Sequence, residues 1–220
     1  LLQRVVPTLP IHASTQMTQT AAGGIAYLQA LGVSRVIVAR ELTLAELTTL
    51  AHAAPLPLEV FVHGALCISY SGQCLASEAL WSRSANRGLC AQACRLPYHL
   101  IVDGQPLEQS HREYLLSPHD LAAHALLPKL VALGIAAFKI EGRLKSAHYV
   151  AAATQVYRAA LDAAVQRRPF VISPAQQADL TQSFSRGFGH GFLEGVNHQT
   201  LVPGACPRNR GVCVGTVVAR

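Results

Sequence analysis

The strongest constraint on this chain is a repeating rhythm of short apolar strand, polar turn and helix. Leu9 to Ser14 reads as a strand and Thr20 to Leu31 as a helix stopped by Gly32. A strand at Val36-Ile37-Val38-Ala39, a helix from Leu44 to Ala54 with Thr43 as N-cap, and a strand at Leu58 to Val62 follow. The rhythm returns with a helix over Leu121 to Leu133, kinked or split by Pro128 and closed by Gly134, then a strand at Ala136 to Ile140 and a long helix from Ser146 to Gln166. Strand and helix alternating with short connections predict parallel βα units. Half of the 220 residues are hydrophobic and only 14% charged, which supports a sizeable core and excludes a disordered chain.

Four such units are too few to close an eight-stranded barrel. The expected fold is therefore α/β: a partial (β/α) TIM-like barrel, its C-terminal half, with an open α/β sheet as the alternative. Residues 1–168 form that partial barrel, with a cysteine-bearing insertion over 64–97 and a hairpin around Asp103-Gly104. Residues 169–220 form a C-terminal extension in which the βα pattern dissolves. Its end, Val212 to Val218, alternates like the first strand of a further β module.

The strand ends carry the ionisable residues, and in parallel α/β folds that edge holds the ligand. His63 and Glu141 are candidate proton-transfer groups there. Arg40, Lys139 and Arg143 are candidates for anchoring a carboxylate or phosphate, or else rim salt-bridge partners of Glu41 and Glu141. Basic residues outnumber acidic ones 18 to 12, and all but Lys129, Lys139 and Lys145 are arginines, a bias that suits anion recognition. No apolar run is long enough to cross a membrane and the N-terminal residues lack a signal-peptide core, so a cytoplasmic protein without membrane association is expected.

Inside the insertion, Cys67, Cys74, Cys90 and Cys94 give the spacing C-x6-C-x15-C-x3-C. Four thiolates from one polar loop can close around an iron–sulfur cluster or a zinc ion. The absence of paired C-x2-C knuckles favours iron–sulfur, with zinc as the alternative. Arg83, Arg87 and Arg95 supply positive charge beside the thiols. Cys206 and Cys213 lie in the C-terminal extension and read as structural.

The run Glu59-Val60-Phe61-Val62-His63-Gly64-Ala65-Leu66-Cys67-Ile68-Ser69-Tyr70-Ser71-Gly72-Gln73-Cys74 closely resembles the signature of the collagenase-like peptidase family U32. So do Arg83 to Gly88, Cys90, Gln92, Cys94 to Tyr98, Phe138 to Arg143, Tyr149, Tyr157-Arg158, and the shorter pieces His12 to Gln16, Ala39 to Leu42 and Asn197-His198. The resemblance implies RNA modification, namely hydroxylation of a pyrimidine at carbon 5 in ribosomal or transfer RNA, with prephenate as co-substrate and an electron-donor protein as partner. It implies a 4Fe–4S cluster on the four cysteines. Ser84 to Gly88 and Cys94 to Tyr98 look most like the branch that makes 5-hydroxycytidine in large-subunit ribosomal RNA. Two other activities belong to the family: a peptidase, for which no H-E-x-x-H or G-x-S-x-G motif is present here, and a component of oxygen-independent hydroxylation in ubiquinone synthesis.

Overall fold

The computed structural model describes residues 2–108, 112–212 and 214–218. In chain order its elements are α1 (Leu2–Val5), β1 (His12–Ala13), α2 (Ala22–Ala30), β2 (Arg35–Ile37), α3 (Leu44–Ala53), β3 (Leu58–Gly64), α4 (Ala76–Trp81), β4 (Ile101–Val102), β5 (Gln105–Pro106), β6 (Asp120–Ala122), α5 (Leu127–Ala132), β7 (Ala137–Ile140), α6 (Ala147–Val165), α7 (Pro174–Ser183), β8 (Phe188–Gly189) and α8 (His198–Leu201). The fold is mixed α/β around a sheet rich in parallel pairs.

β3 is the centre of that sheet. It runs parallel to β2, with Val36 opposite Leu58, and parallel to β7, with Val60 opposite Phe138. β1 extends the parallel set beyond β2. Six of the seven β3 residues are buried, so both strand faces are covered, as a central parallel strand requires. Val36, Val60 and Val62 share one core with Ile25 and Leu28 of α2, Leu47 and Leu50 of α3, Leu127 and Leu130 of α5, and Tyr157 and Ala160 of α6. Burial of each such aliphatic side chain contributes about 1.5–3 kcal/mol.

Local chemistry sets the helix boundaries. Thr43 and Glu46 form a reciprocal capping box at the start of α3. Ser146 caps α6, whose run of alanines favours the helix without loss of side-chain entropy. Asp103 and Gly104, both at positive φ, make the two-residue turn between β4 and β5.

Three expectations are corrected. The segment from Leu121 to Leu133 does not begin as a helix: Asp120–Ala122 is the buried strand β6, and it runs antiparallel to the end of β3, so the sheet is not uniformly parallel. A 3-10 turn, His124–Leu126, precedes α5, and Pro128 occupies the first turn of α5, where its missing N–H is no loss, so the helical stretch is split beside it as expected. Regular structure persists beyond Pro169: Ser173 and Gln176 build a capping box for α7, and β8 pairs with β6. Residues 212 and 214–218, expected as a strand, form none. Cys213 lies outside the described residues.

Candidate functional site

The loop that leaves β3 is aimed by a glycine. Gly64 has φ +103°, and a Cβ there would stand 2.3 Å from the Glu141 carbonyl oxygen. That close approach joins the carboxyl ends of β3 and β7, with the Glu141 amide donating to the His63 carbonyl at 2.8 Å. Beyond it, the first part of the cysteine loop docks on the ends of β1 and β2. Thr18 Oγ1 donates to the Ser71 carbonyl at 2.6 Å, the Arg40 amide donates to Ser71 Oγ at 3.2 Å, and Glu41 accepts from both the Ser71 amide and its hydroxyl. Gly72 is pressed against Gln16, where a Cβ would meet the Gln16 carbonyl oxygen at 2.3 Å. Ser77 is buried and accepts from the Ala91 amide at 3.0 Å, tying the middle of the loop to its last two cysteines.

Cys67, Cys74, Cys90 and Cys94 all line one cavity of about 320 Å³, together with Arg40, Gln16 and Tyr70. All four are free thiols; Cys90 is the exposed one. Burial pushes the Cys94 thiol above its ordinary pKa. Arg95 opposes that rise, and the neighbouring Cys67, Cys90 and Cys74 add to it. Among the described residues no His, Asp or Glu lines the cavity, so the four sulfurs are its strongest metal donors. Among the described residues no three His, Cys, Asp or Glu side chains are grouped as a single metal ion requires. A cubane instead takes one thiolate at each of four irons, and four thiols spread around one cavity suit that donor pattern.

The other predicted site residues are not drawn to one place. Arg40 and Lys139 both stand over the Phe61 ring, at 5.5 and 5.3 Å from its centroid, and Lys139 Nζ lies 3.8 Å from Glu59 Oε1. Arg40 lines the cysteine cavity, and its buried Nε has no hydrogen-bond partner among the described residues. Arg143 lies apart from them, on the rim of the loop: its Nη1 donates to the Gly88 carbonyl at 2.7 Å. Glu141 accepts from the Arg143 backbone amide, not from its guanidinium.

His63 does not project from the strand end into solvent. It is 1% exposed, surrounded by the rings of Tyr149, Tyr157 and Phe188, and neither ring nitrogen has a hydrogen-bond partner among the described residues. Burial lowers its pKa to about 4, against the opposing pull of Asp120, so the ring is neutral at neutral pH. It does not line the cysteine cavity.

Residue-by-residue reading of the sequence missed two features. Ser71, within the recognised signature, carries the loop's anchorage, and the only signal for it is a serine between two cysteines. Asp120 and Arg186 form a buried ion pair at 2.6 Å, reinforced by the Arg186 amide. Asp120 is signalled as a lone carboxylate beside an apolar run, whereas Arg186 sits in a Gly- and Ser-rich stretch that gives no signal for the pair. Cys206, by contrast, stays outside the cavity, its thiol donating to the Arg208 carbonyl.

The wall formed by Ile68, Ser69, Tyr70 and Gln73 is shared with a second groove of about 810 Å³. That groove has a mixed lining: polar groups of Thr18, Thr20 and Glu41 alternate with the apolar side chains of Leu42, Phe192 and Val196. Tyr70, 69% exposed, stands between the two spaces. Among the described residues no helix is long and apolar enough to cross a membrane.

The chain is similar to curated proteins of known name. It is 36% identical over 200 residues to the tRNA hydroxylation protein P1 of Bacillus subtilis, covering 88% of this chain and 47% of that protein. It is 42% identical over 168 residues to the 23S rRNA 5-hydroxycytidine C2501 synthase of Escherichia coli, covering 76% of this chain and 26% of that protein. To a protein named collagenase from Porphyromonas gingivalis it is 33% identical over 165 residues, covering 70% of this chain and 40% of that protein. The chain thus spans about half or less of the length of these relatives. No solved structure matches it significantly. The sequence pattern of peptidase family U32 matches residues 1–203, and with the cysteine loop, its glycine-set exit from β3 and these relatives in hand, the chain belongs to that family.

Proposed function

We propose that this chain is the thiol-bearing part of an RNA hydroxylation enzyme that acts at carbon 5 of a pyrimidine, a cytidine of large-subunit ribosomal RNA. The observation that carries the reading is the meeting of four thiols on one cavity that shares a wall with a larger groove of mixed polar and apolar lining. The relatives named for tRNA and rRNA hydroxylation support the reaction class. The 42% identity to the ribosomal RNA synthase, against 36% to the transfer RNA protein, supports the choice of RNA.

In this reading Cys67, Cys74, Cys90 and Cys94 hold a 4Fe–4S cluster, which supplies one-electron chemistry when bound. The groove is within the size range of small-ligand sites and takes a nucleotide turned out of its stack. Tyr70 offers a ring for the base to stack on. Exposed Arg83, Arg87 and Arg143 around the loop hold phosphates of the RNA. Arg40, which lines the cysteine cavity and has a buried Nε without a partner among the described residues, anchors a carboxylate of a co-substrate such as prephenate. Cys90, the exposed thiol, marks the side from which an electron-donor protein approaches. The parallel set β1, β2, β3 and β7 belongs to the C-terminal half of a (β/α) barrel spanning 1–168, and 169–220 forms an extension beyond it.

A cysteine peptidase reading requires a base beside the nucleophile. His63, the histidine nearest the loop in sequence, is sealed among aromatic rings away from the cavity, which disfavours it.

The test is nucleoside mass spectrometry of digested ribosomal and transfer RNA from the host, with and without the full-length gene. Loss of one 5-hydroxypyrimidine, restored by the wild-type gene, is the expected outcome. Unchanged 5-hydroxypyrimidines in the deletion strain would reject the reading.

A further inference from the structure

Arg95 follows Cys94 in sequence and is 8% exposed. Its Nη1 donates to Ser117 Oγ at 2.7 Å and to the Pro118 carbonyl at 2.6 Å, and its Nη2 donates to the Leu66 carbonyl at 2.9 Å. All three acceptors are neutral. Among the described residues no carboxylate stands within ion-pair distance of this guanidinium. Asp120, the carboxylate whose field reaches it, is committed to Arg186 through both of its oxygens. A buried charge with only neutral partners costs several kcal/mol in solvation, and a nearby anion is what offsets that cost.

The groups placed to become that anion are thiols. Cys94 is the chain neighbour of Arg95. Leu66, whose carbonyl Arg95 holds, immediately precedes Cys67. The guanidinium therefore joins the first and last cysteines of the loop and the segment that leads into β6. Burial first and Arg186 second disfavour its charged form, against the smaller opposing pull of Cys94, Asp120 and Cys67.

We infer that Arg95 is a positioning residue whose buried positive charge offsets the negative charge of the thiolate-ligated cluster and fixes Cys67 and Cys94 relative to each other. This rests on the iron–sulfur reading given above. Arginine suits both tasks, because its planar fork reaches three acceptors while its charge remains at any working pH. Lysine keeps the charge and loses the fork.

The test uses full-length protein, reconstituted anaerobically with iron and sulfide, as wild type, Arg95→Gln and Arg95→Lys. Iron and acid-labile sulfide per chain, the rate of iron release to a chelator, and the reduction potential from an optical redox titration are measured. Arg95→Gln is expected to release iron about tenfold faster, equivalent to ~1.4 kcal/mol of barrier. Its remaining cluster is expected to have a more negative potential, because adding an electron is harder once a buried positive charge is gone. Arg95→Lys is expected to release iron faster while keeping nearly the wild-type potential. Equal loss of iron in both variants with unchanged potentials would make Arg95 a structural clamp alone and overturn the inference. Should Arg95→Gln not fold, Arg95→Met replaces it as the neutral variant: a potential more negative than that of Arg95→Lys supports the inference, and equal potentials overturn it. Wild-type protein that takes up neither iron nor sulfide would reject the cluster itself, and the inference with it, whereas loaded wild type with indifferent variants rejects only Arg95.

Discussion

Ser71 donates its hydroxyl to Glu41 Oε2 at 2.8 Å and its amide to Glu41 Oε1 at 3.1 Å, so one carboxylate at the end of β2 grips one serine of the cysteine loop at two points. The same hydroxyl accepts from the Arg40 amide. Hydrogen bonds to a charged acceptor are the stronger kind, and Ser71 is only 1% exposed. The anchorage of the stretch between Cys67 and Cys74 depends on this contact. Glu41→Ala should leave a buried amide and hydroxyl without their acceptor and cost about 1–3 kcal/mol. Limited proteolysis with peptide mapping should then show faster cleavage between Cys67 and Cys74 than in wild type. Unaltered cleavage there would mean that the loop is held by other contacts.

Gly64→Ala tests the exit from β3. The substitution places a methyl group 2.3 Å from the Glu141 carbonyl oxygen at a φ that side chains rarely adopt. Strain of this kind costs roughly 1–3 kcal/mol before the clash is counted. A fall in soluble yield and in the midpoint of thermal unfolding is expected. A variant as stable as wild type would show that β3 and β7 can separate at this point.

The buried pair of Asp120 and Arg186 makes a sharper prediction. Asp120→Asn leaves the guanidinium buried without its counter-charge, and breaking one side of such a pair costs about 3–5 kcal/mol. The double variant Asp120→Leu with Arg186→Met should recover a large part of that loss, since an apolar pair needs no solvation. Urea titration of the three proteins provides the check. A double variant weaker than either single one would contradict it.

His63 gives the stability a pH dependence. Its folded pKa of about 4 lies below the unfolded value near 6.5, so the unfolded chain binds the extra proton as pH falls. The folded state therefore loses stability between about pH 6.5 and 4, and this contribution vanishes above that window. A shift of this size corresponds to ~3 kcal/mol at the acid end. His63→Phe, placed among Tyr149, Tyr157 and Phe188, should flatten the slope of unfolding free energy against pH within that window. An unchanged slope would assign the acid sensitivity to other groups.

How much of this was legible beforehand follows from what the sequence can encode locally. Thr43 and Glu46, Ser146, and Asp103-Gly104 act within a few residues of themselves, and the helices and turn they set lie where their patterns put them. The four cysteines were legible as a group because they share one loop. The strand Asp120–Ala122 was hidden, because a short, fully buried apolar run has no periodicity to separate strand from helix. The burial of His63 was hidden as well. Its position at a strand end suggested exposure, but three rings from α6 and β8 close over it. Contacts that bridge 30 or 66 residues, such as Ser71 with Glu41 and Arg186 with Asp120, leave no trace in a local pattern.

The central claim is that the four loop cysteines serve RNA hydroxylation together. Quantitation of 5-hydroxycytidine in large-subunit ribosomal RNA tests it most directly, in a host whose gene is replaced by Cys67→Ala or by Cys206→Ala. Cys67 lines the shared cavity, and Cys206 is a free thiol outside it. The account predicts loss of the modified nucleoside with Cys67→Ala, as in the deletion strain, and wild-type levels with Cys206→Ala. Wild-type levels in the Cys67→Ala strain, with the protein present at normal abundance, would contradict it.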